Sequence, residues 1–305
     1  MPLPAMTHSS AFLLPASAPA SSDAAATTYA LIVLNQRLPR FAPLLWSRGD
    51  APSPSPSLLA IAGWLAGLWF ARLIGFSPRL TRALCFLLEA ASLRVCADGG
   101  ANRVFDGMPE LLPGEDPADI RSRYKPDVIK GDMDSIRPEV KEYYSNLGTD
   151  LVDESHDQDT TDLHKCISFI TRDLPVPDKS NLCILVLGAL GGRFDHEMGN
   201  INVLYRFANT KIILLSDDCS ICLLPKTHNH EIHIEKSVEG PHCGLIPMGG
   251  PSTSTTTTGL RWNLDNTSMS YGGLVSTSNI VDDDRVTVTS DSDLIWTISL
   301  RKSES

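Results

Sequence analysis

The chain has 305 residues, long enough for one large domain or two smaller ones, each with its own core. Hydrophobic residues make up 42% of it and charged residues 20%, as in an ordinary soluble globular protein. The formal net charge is −10 and no basic stripe is present, which excludes nucleic acid as the main partner. The acidity instead favours metal-bridged recognition of a small anionic ligand.

The first 28 residues are rich in Ala, Ser, Pro and Thr, and contain one acidic residue and no Lys or Arg. A signal peptide begins with a basic region, and a transit peptide normally carries arginines. Residues 1–28 are therefore predicted to be a disordered tail.

From residue 29 onward, short apolar runs alternate with helical patterns. Strands are predicted at 29–34, 93–97, 127–130, 151–152, 182–187 and 212–215, and helices at 160–174 and 195–208. This alternation is typical of an α/β domain, here a Rossmann-like, mainly parallel sheet with helices on both faces, over residues 29–225.

The pattern changes after residue 225, where short β-type runs are separated by Gly, Asn, Asp and Ser. Strands are predicted at 231–234, 244–248, 259–264, 273–276, 285–289 and 294–300, and no convincing helix is found. Residues 226–305 are thus predicted to be an all-β sandwich or barrel domain.

Residues 47–92 do not fit the α/β pattern and are interpreted as an atypical insertion, for instance one of accidental origin. Within it, residues 58–76 are nearly all apolar, and by length alone they are a transmembrane candidate. Arg72, further charges nearby and the lack of a second span argue against that alternative. No membrane partner is expected.

The most informative feature is a pair of acidic clusters, each just past an apolar run. Asp132 and Asp134 follow the strand predicted to end at residue 130, and side chains two apart in an extended segment point the same way. Because open α/β sheets bind ligands at the carboxyl ends of their strands, these carboxylates can hold Mg²⁺, which prefers oxygen ligands. A solvated Asp-rich turn is the alternative.

Asp157, Asp159 and Asp162 form the second cluster, at the start of the next predicted helix. Helix capping explains part of this cluster. It does not explain the additional carboxylate, nor why this cluster follows the first one in the next strand–helix unit of the chain. A metal or phosphate function is therefore favoured.

Two glycine-containing loops follow predicted strands. Asp98, Gly99 and Gly100 precede Asn102 and Arg103, and paired glycines let a phosphate approach the backbone at a helix N-terminus. The second loop, at 188–196, carries Arg193 and lacks the Lys-Ser/Thr end of a Walker A motif. A simple strand-to-helix turn is the alternative for the first loop.

In the β-rich part, Trp262 lies among polar strand-end residues and can stack on a flat or cationic ring, or belong to the core. Ser276, Ser278 and Asn279 can hydrogen-bond a heterocycle or form a turn.

The seven cysteines are scattered and odd in number, which favours a reducing compartment, taken here as the cytoplasm. A zinc site built from Cys243 and the histidines at 228, 230, 233 and 242 is the less favoured alternative, because the histidines alternate as in a strand.

Taken in order, seven segments resemble those of eukaryotic thiamin pyrophosphokinases, in particular plant ones: CADGGANR, KPDVIKGDMDSI, DQDTTDLHKC, GALGGRFDH, GLRWNL, LVSTSN and VTV…LIWTISL. The resemblance covers about residues 29–46 and 93–301. It implies transfer of the pyrophosphoryl group of ATP to the hydroxyl of thiamin, giving thiamin diphosphate and AMP. It also implies an N-terminal nucleotide- and Mg²⁺-binding α/β domain, a C-terminal β domain that binds thiamin, and a homodimer with sites between subunits.

The resemblance further assigns roles to individual residues. Asp132, Asp134 and Asp162 become the Mg²⁺ ligands, and Asp132, Asp134 and Asp159 the catalytic residues, with Asp159 as the general base. The ATP-binding residues become Asp98, Gly99, Gly100, Asn102, Arg103, Arg193 and Asp195. The thiamin-binding residues become Gln158, Trp262, Ser276, Ser278 and Asn279.

Two other functions remain open at this point. One is a catalytically impaired thiamin-binding isoform, in which residues 47–92 interrupt the first crossover of the sheet. The other is a Mg²⁺-dependent phosphohydrolase, which the paired acids permit but which leaves the GLRWNL and STSN segments without a role.

Overall fold

A computed structural model of the protein describes residues 3–14, 27–47, 93–173 and 181–301. The strands are β1 (Ala5–Ser9), β2 (Thr28–Val33), β3 (Leu93–Ala97), β4 (Val128–Gly131), β5 (Asp150–Asp153), β6 (Leu182–Leu187), β7 (Lys211–Leu215), β8 (Cys219–Leu224), β9 (Asn229–His233), β10 (Glu239–Ile246), β11 (Ser252–Thr258), β12 (Thr267–Met269), β13 (Ser276–Ile280), β14 (Arg285–Ser290) and β15 (Leu294–Leu300). The α-helices are α1 (Ala42–Ser47), α2 (Gly100–Leu111), α3 (Pro117–Arg123), α4 (Pro138–Asn146), α5 (Asp162–Ser168) and α6 (Phe194–Arg206). A 3-10 turn covers Ala11–Leu13, and a π-helical turn at Phe169–Asp173 extends α5.

The N-terminal half is built on a parallel sheet with the strand order β7-β6-β2-β3-β4-β5. Successive residues of β2 face opposite sides of this sheet, as strand geometry requires. Leu31 and Val33 pack in one core with α2, whereas Ala30 and Ile32 pack in a second core with α5. The prediction of a mainly parallel sheet with helices on both faces is confirmed.

The same sheet continues through antiparallel strands in the order β7-β8-β15-β10-β13, which makes ten strands within the described residues. A five-stranded sheet, β1-β9-β14-β11-β12, covers this end. Val286 and Val288 of the smaller sheet share a core with Leu245 and Trp296 of the larger one. The predicted C-terminal β-sandwich is confirmed. Because the ten-stranded sheet runs through it, the domain boundary at 225/226 stays a prediction.

The prediction of a disordered tail over residues 1–28 is wrong for residues 3–14. Strand β1 pairs in parallel with β9, and buried His8 places its Nε2 3.0 Å from Nδ1 of His230. Phe12 and Leu13 are also buried. The Ala/Ser/Pro-rich composition conceals this short apolar segment, whose strand becomes stable only through a partner far away in the sequence. Residues 15–26 lie outside the described residues.

The strand predicted at 259–264 is also wrong, because those residues form a turn after β11. Gly259 has a φ of +79°, in the left-handed region, and Asn263 Oδ1 accepts a hydrogen bond from the Leu260 N–H at 3.1 Å. The strand lies one segment earlier, where Ser252 and Thr255 bury hydroxyl groups that hydrogen-bond each other at 2.8 Å. A hydrophobicity pattern cannot reveal a strand whose inward face is polar.

The predicted insertion at 47–92 lies outside the described residues from residue 48 onward, including the apolar run at 58–76. In the part of the chain that is described, none of the helices has the length and apolar character needed to span a bilayer.

Candidate functional site

The candidate site lies at the carboxyl ends of the parallel strands, where the strand order reverses. Strand β2 has β3 on one side and β6 on the other, so the loops that leave β2 and β6 separate to opposite faces of the sheet. Open α/β sheets bind ligands in the crevice that this reversal creates. A cavity of about 330 Å³ occupies the crevice. Its lining residues are Leu34, Asn35, Gln36, Ala97, Asp132, Ser135, Thr160, Thr161, Asp162, Leu163, Gly188, Ala189, Gly191, Asp195, His196, Gly199 and Asn200.

Three carboxylates converge at this edge. Asp98 follows β3, Asp132 follows β4, and Asp162 begins α5. One oxygen from each lies within 4.8 Å of the other two. Carboxylate oxygens at this spacing are the donor set of a hard divalent cation. The sequence prediction that the two acidic clusters meet is confirmed for Asp132 and Asp162.

Asp98 is held in the cluster by the loop that follows β4. Its carboxylate accepts hydrogen bonds from the backbone N–H groups of Ser135, at 2.8 Å, and Ile136, at 3.0 Å. Its backbone is in the left-handed region, with a φ of 42°. Burial raises the pKa of the Asp98 carboxyl, and these two hydrogen bonds oppose the rise. Asp98 thus fixes the β4 loop and contributes an oxygen to the cluster.

Gly131 is what lets the carboxylates approach one another. A Cβ at this position would lie 2.8 Å from the Asp98 Cβ and 3.0 Å from Asp162 Oδ1. Both distances are too short for ordinary contact. Gly131, at the end of β4, is therefore required for a steric reason, because any side chain there would displace the carboxylates of the site.

Asp162 shows the electrostatic cost of the cluster. Its pKa is raised to about 6, first by burial and then by the charges of Asp132 and Asp98. Lys165, which is buried one turn further along α5, opposes the rise with its Nζ 3.8 Å from Asp162 Oδ1. A cation between the carboxylates would relieve the same repulsion.

Asp157 and Asp159, the other acids of the second cluster, are not part of the group of three carboxylates. Asp157 closes its own turn by accepting from the Asp159 N–H at 3.0 Å and the Thr160 N–H at 3.2 Å. Thr161 caps α5 by accepting from the His164 N–H at 3.3 Å. Asp159 is exposed. A local turn thus explains Asp157 and helix capping explains Thr161, but neither explains Asp162.

Asp134, predicted as a Mg²⁺ ligand, is not in the group of three. Its exposed carboxylate accepts a hydrogen bond from Ser135 Oγ at 2.7 Å. It remains close enough to contribute, as the weakest cause named, to the raised pKa of Asp162. The group instead contains Asp98, for which the family resemblance implied a role in ATP binding. A role for Asp134 at the metal stays a prediction.

Of the seven predicted ATP-binding residues, Asp195 is among those that line the cavity and the other six are not. Gly100 opens α2, and a Cβ there would meet the Val33 carbonyl oxygen at 2.1 Å. Asn102 Nδ2 donates to the Ser135 carbonyl at 2.9 Å. Arg193 and Asp195 form an exposed ion pair, with Nε to Oδ1 at 3.1 Å, in which each charge is balanced by its neighbour.

Sequence reasoning missed several residues that line the cavity, among them Asn35, Gln36 and Asn200. Asn35 and Gln36 lie two and three residues past the end of β2, so the strand-end rule that identified Asp132 also applies to them. Asn200 lies inside α6, where no local pattern marks it, and its Nδ2 donates to the Ala189 carbonyl at 2.9 Å.

The predicted thiamin-binding residues are distributed over the loop before α5, the turn after β11 and strand β13. None of the five is among the lining residues of the cavity. Trp262 is 57% exposed and follows β11, whereas Ser276, Ser278 and Asn279 belong to β13. Buried Asn279 ties the two segments together, since its Nδ2 donates to the Trp262 carbonyl at 2.9 Å and its Oδ1 accepts from the Trp262 N–H at 3.2 Å. Gln158 is exposed on the loop before α5.

The fold and this geometry define a two-part α/β and β-sandwich protein with an acidic site at the switch point of its parallel sheet. Residues 84–215 match the thiamin pyrophosphokinase catalytic domain, and residues 229–295 match the thiamin pyrophosphokinase vitamin B1 binding domain. Thiamine pyrophosphokinase 1 of Oryza sativa subsp. japonica is 69% identical over 305 residues, covering 99% of this chain and 100% of that protein. The chain belongs to the thiamin pyrophosphokinase family.

Another plant relative and a solved structure support this family assignment. Thiamine pyrophosphokinase 1 of Arabidopsis thaliana is 55% identical over 297 residues, covering 97% of this chain and 94% of that protein. The crystal structure of yeast thiamin pyrophosphokinase has the same fold, with a TM-score of 0.70 at 20% identity, over 99% of this chain and 92% of that one. The catalytic-domain match begins at residue 84 and so includes residues 84–92 of the predicted insertion, whose bounds of 47–92 stay a prediction.

Proposed function

We propose that this chain transfers the pyrophosphoryl group of ATP to the hydroxyl of thiamin, with Mg²⁺ as cofactor, and releases thiamin diphosphate and AMP. Thiamin pyrophosphokinase activity follows from the family to which the chain belongs. The observation that carries the proposed chemistry is the convergence of Asp98, Asp132 and Asp162 at the switch point.

The donor set of this cluster fits Mg²⁺. All three ligands offer carboxylate oxygens, which suit a hard cation, and they leave room for water and phosphate oxygens in the coordination shell. When bound, Mg²⁺ supplies neutralisation of the charge on phosphate oxygens. Asp134 is proposed as a further ligand because it lies in the same loop as Asp132.

In phosphoryl transfer the protein contributes mainly positioning and electrostatic stabilisation. The thiamin hydroxyl oxygen forms a bond to the β-phosphorus of ATP, and the bond from that phosphorus to the α,β-bridging oxygen breaks, so AMP leaves with the electron pair. Asp159 is proposed to accept the hydroxyl proton. Asp98, Gly99, Gly100, Asn102, Arg103 and Arg193 are proposed to surround the ATP phosphates, and Asp195 is proposed as a further ATP-binding residue.

Thiamin is proposed to bind through Gln158, Trp262, Ser276, Ser278 and Asn279, at a site shared between two copies of the chain. The homodimer is proposed from the family resemblance, and none of these five residues is among those that line the cavity of their own chain. An exposed Trp held by a buried Asn offers a rigid face on which a ring can stack.

The alternative functions are not favoured. A Mg²⁺-dependent phosphohydrolase has no need of a vitamin B1 binding domain, which residues 229–295 match. The impaired isoform is not favoured because relatives that are thiamine pyrophosphokinases match nearly the whole chain. A cytoplasmic location is proposed from the cysteines, since those in the described residues are free thiols.

The deciding experiment measures AMP release by the full-length chain with ATP, Mg²⁺ and thiamin. We expect AMP only when thiamin is present, and a loss of about 10³-fold in turnover for Asp132→Asn. Asp119→Asn, at an exposed position on α3, is the matched control and is expected to keep wild-type turnover. ATP consumption independent of thiamin would support the phosphohydrolase instead. Unchanged turnover in Asp132→Asn would remove the metal assignment.

A further inference from the structure

The turn after β2 lies between the two glycine loops of the site. Its backbone is anchored to β6, because the Leu34 N–H donates to the Leu187 carbonyl at 2.9 Å. On the β6 side, a Cβ at Gly192 would lie 2.6 Å from Gln36 Nε2. On the β3 side, a Cβ at Gly99 would lie 2.4 Å from Asn35 Nδ2. Asn35 and Gln36 therefore each pack directly against the backbone of a different loop.

Asn35 also reaches α2. Its Oδ1 accepts a hydrogen bond from Arg103 Nε at 2.9 Å, and Asn35 itself lines the cavity. Arg103 is exposed, and among the described residues this is the hydrogen bond that its guanidinium makes. The two terminal nitrogens of Arg103 keep their donors for an incoming acceptor.

The partner of Arg103 differs in kind from that of Arg193. Arg193 pairs with the carboxylate of Asp195, which neutralises it. The amide of Asn35 orients the Arg103 guanidinium without cancelling its charge. A fixed guanidinium with its full charge and a free pair of donors matches the geometry of phosphate oxygens.

We propose that Asn35 is a positioning residue for polyphosphate recognition, which holds Arg103 through Nε so that its terminal nitrogens meet phosphate oxygens. The inference rests on the proposed use of ATP. Asn35 acts through Arg103, so its effect should vanish when Arg103 is absent.

A double-mutant cycle tests this, with calorimetric binding of a non-transferable ATP analogue and Mg²⁺ to the full-length chain. We expect Asn35→Ala to weaken binding about tenfold and Arg103→Ala about thirtyfold, as for a lost hydrogen bond to a charged group. The double variant should bind within about twofold of Arg103→Ala. Arg123→Ala, which removes an exposed arginine paired with Glu115 on the protein surface, is the matched control and should leave binding unchanged.

Asn35→Asp supplies a second test that does not depend on removing volume. It keeps the size and the acceptor but adds a charge that neutralises Arg103, so the dissociation constant should rise about tenfold or more while Tm stays unchanged. Wild-type affinity in Asn35→Asp would overturn the role of Asn35. So would a double variant whose loss of affinity equals the product of the losses in Asn35→Ala and Arg103→Ala.

These outcomes are separate from those of the proposed function. Analogue binding with the expected coupling but no thiamin-dependent AMP release would reject the pyrophosphokinase reaction and keep Asn35. If thiamin-dependent AMP release is observed but the affinity losses of the two single variants multiply in the double variant, only the proposed role of Asn35 is rejected. If the wild-type chain does not bind the analogue, both proposals fail.

Discussion

The ammonium group of Lys165 lies 3.8 Å from the carboxylate of Asp162, one turn away on α5, and is almost completely buried beneath the acidic cluster. A second buried lysine, Lys130, pairs with Glu154. Lys165 therefore partly balances the three clustered carboxylates. The remaining negative charge is what a divalent cation would neutralise.

Removing this balance should raise the pKa of Asp162 further. In Lys165→Met the nearby positive charge is lost, so the carboxylate should take up a proton more readily and its pKa should rise by about one unit. Lys165→Arg keeps the charge and should show a smaller shift. Carboxyl-carbon NMR titration of the metal-free protein measures both, and a fall or no change in the Met variant would show that Lys165 does not act on Asp162.

The raised pKa of Asp162 should also appear as a pH dependence of stability. A carboxyl with a folded-state pKa of about 6 against an ordinary value of 3.8 favours the fold when protonated, and this contribution is lost as the pH rises through 6. Without metal, Asp162→Asn should therefore melt roughly 2–4 °C above the wild type at pH 8 and close to it at pH 4.

Calorimetry with a chelator and then with Mg²⁺ checks this prediction. Mg²⁺ should raise the Tm of the wild type and have little effect on the Tm of Asp162→Asn. The difference in Tm between the two proteins at pH 8 should therefore become smaller or change sign. A wild type that is the more stable protein at pH 8 in chelator would show that the cluster is not under repulsion.

Gly131→Ala should disrupt the cluster by steric contact. The added methyl group would lie 2.8 Å from the Asp98 Cβ, and the displaced carboxylates should lower Mg²⁺ affinity at least about tenfold, with a stability cost of about 1–3 kcal/mol. Gly148→Ala is the matched control, since a Cβ there meets nothing within 4 Å although its φ is +81°. It should lose about 1 kcal/mol of stability and keep its Mg²⁺ affinity. Equal metal affinity in all three proteins would contradict the steric role.

Trp262→Ala should weaken the use of thiamin without harming the fold. Because Trp262 is 57% exposed, its loss should change stability by less than about 1 kcal/mol. The KM for thiamin should rise about tenfold, as expected for a lost stacking or cation–π contact, while the KM for ATP should stay unchanged. Tyr271→Ala, at an aromatic that is 61% exposed, is the control for a general surface effect. If the KM for thiamin is unaltered in Trp262→Ala, Trp262 does not contribute to thiamin binding.

Much of the fold and part of the site could be read from local pattern. The strands predicted at 93–97, 182–187 and 294–300 have those same bounds in the structure, because buried apolar runs ending in polar loops leave few alternatives. Asp132 was identified because ligands bind at the carboxyl ends of parallel strands, a rule that needs no coordinates. Asp162 was identified because helix capping explains only part of the second acidic cluster.

By itself the amino-acid sequence determined the α/β and β-sandwich classes and the two acidic loops, since these depend on residues close together in the chain. Only the tertiary structure decided that Asp98 rather than Asp134 completes the group of three, and that residues 5–9 add a strand to β9. It also decided that Asn35 contacts Arg103 across 68 positions. The physical reason is the same in each case: these contacts depend on strand order and loop approach, which long-range packing sets and no local periodicity encodes.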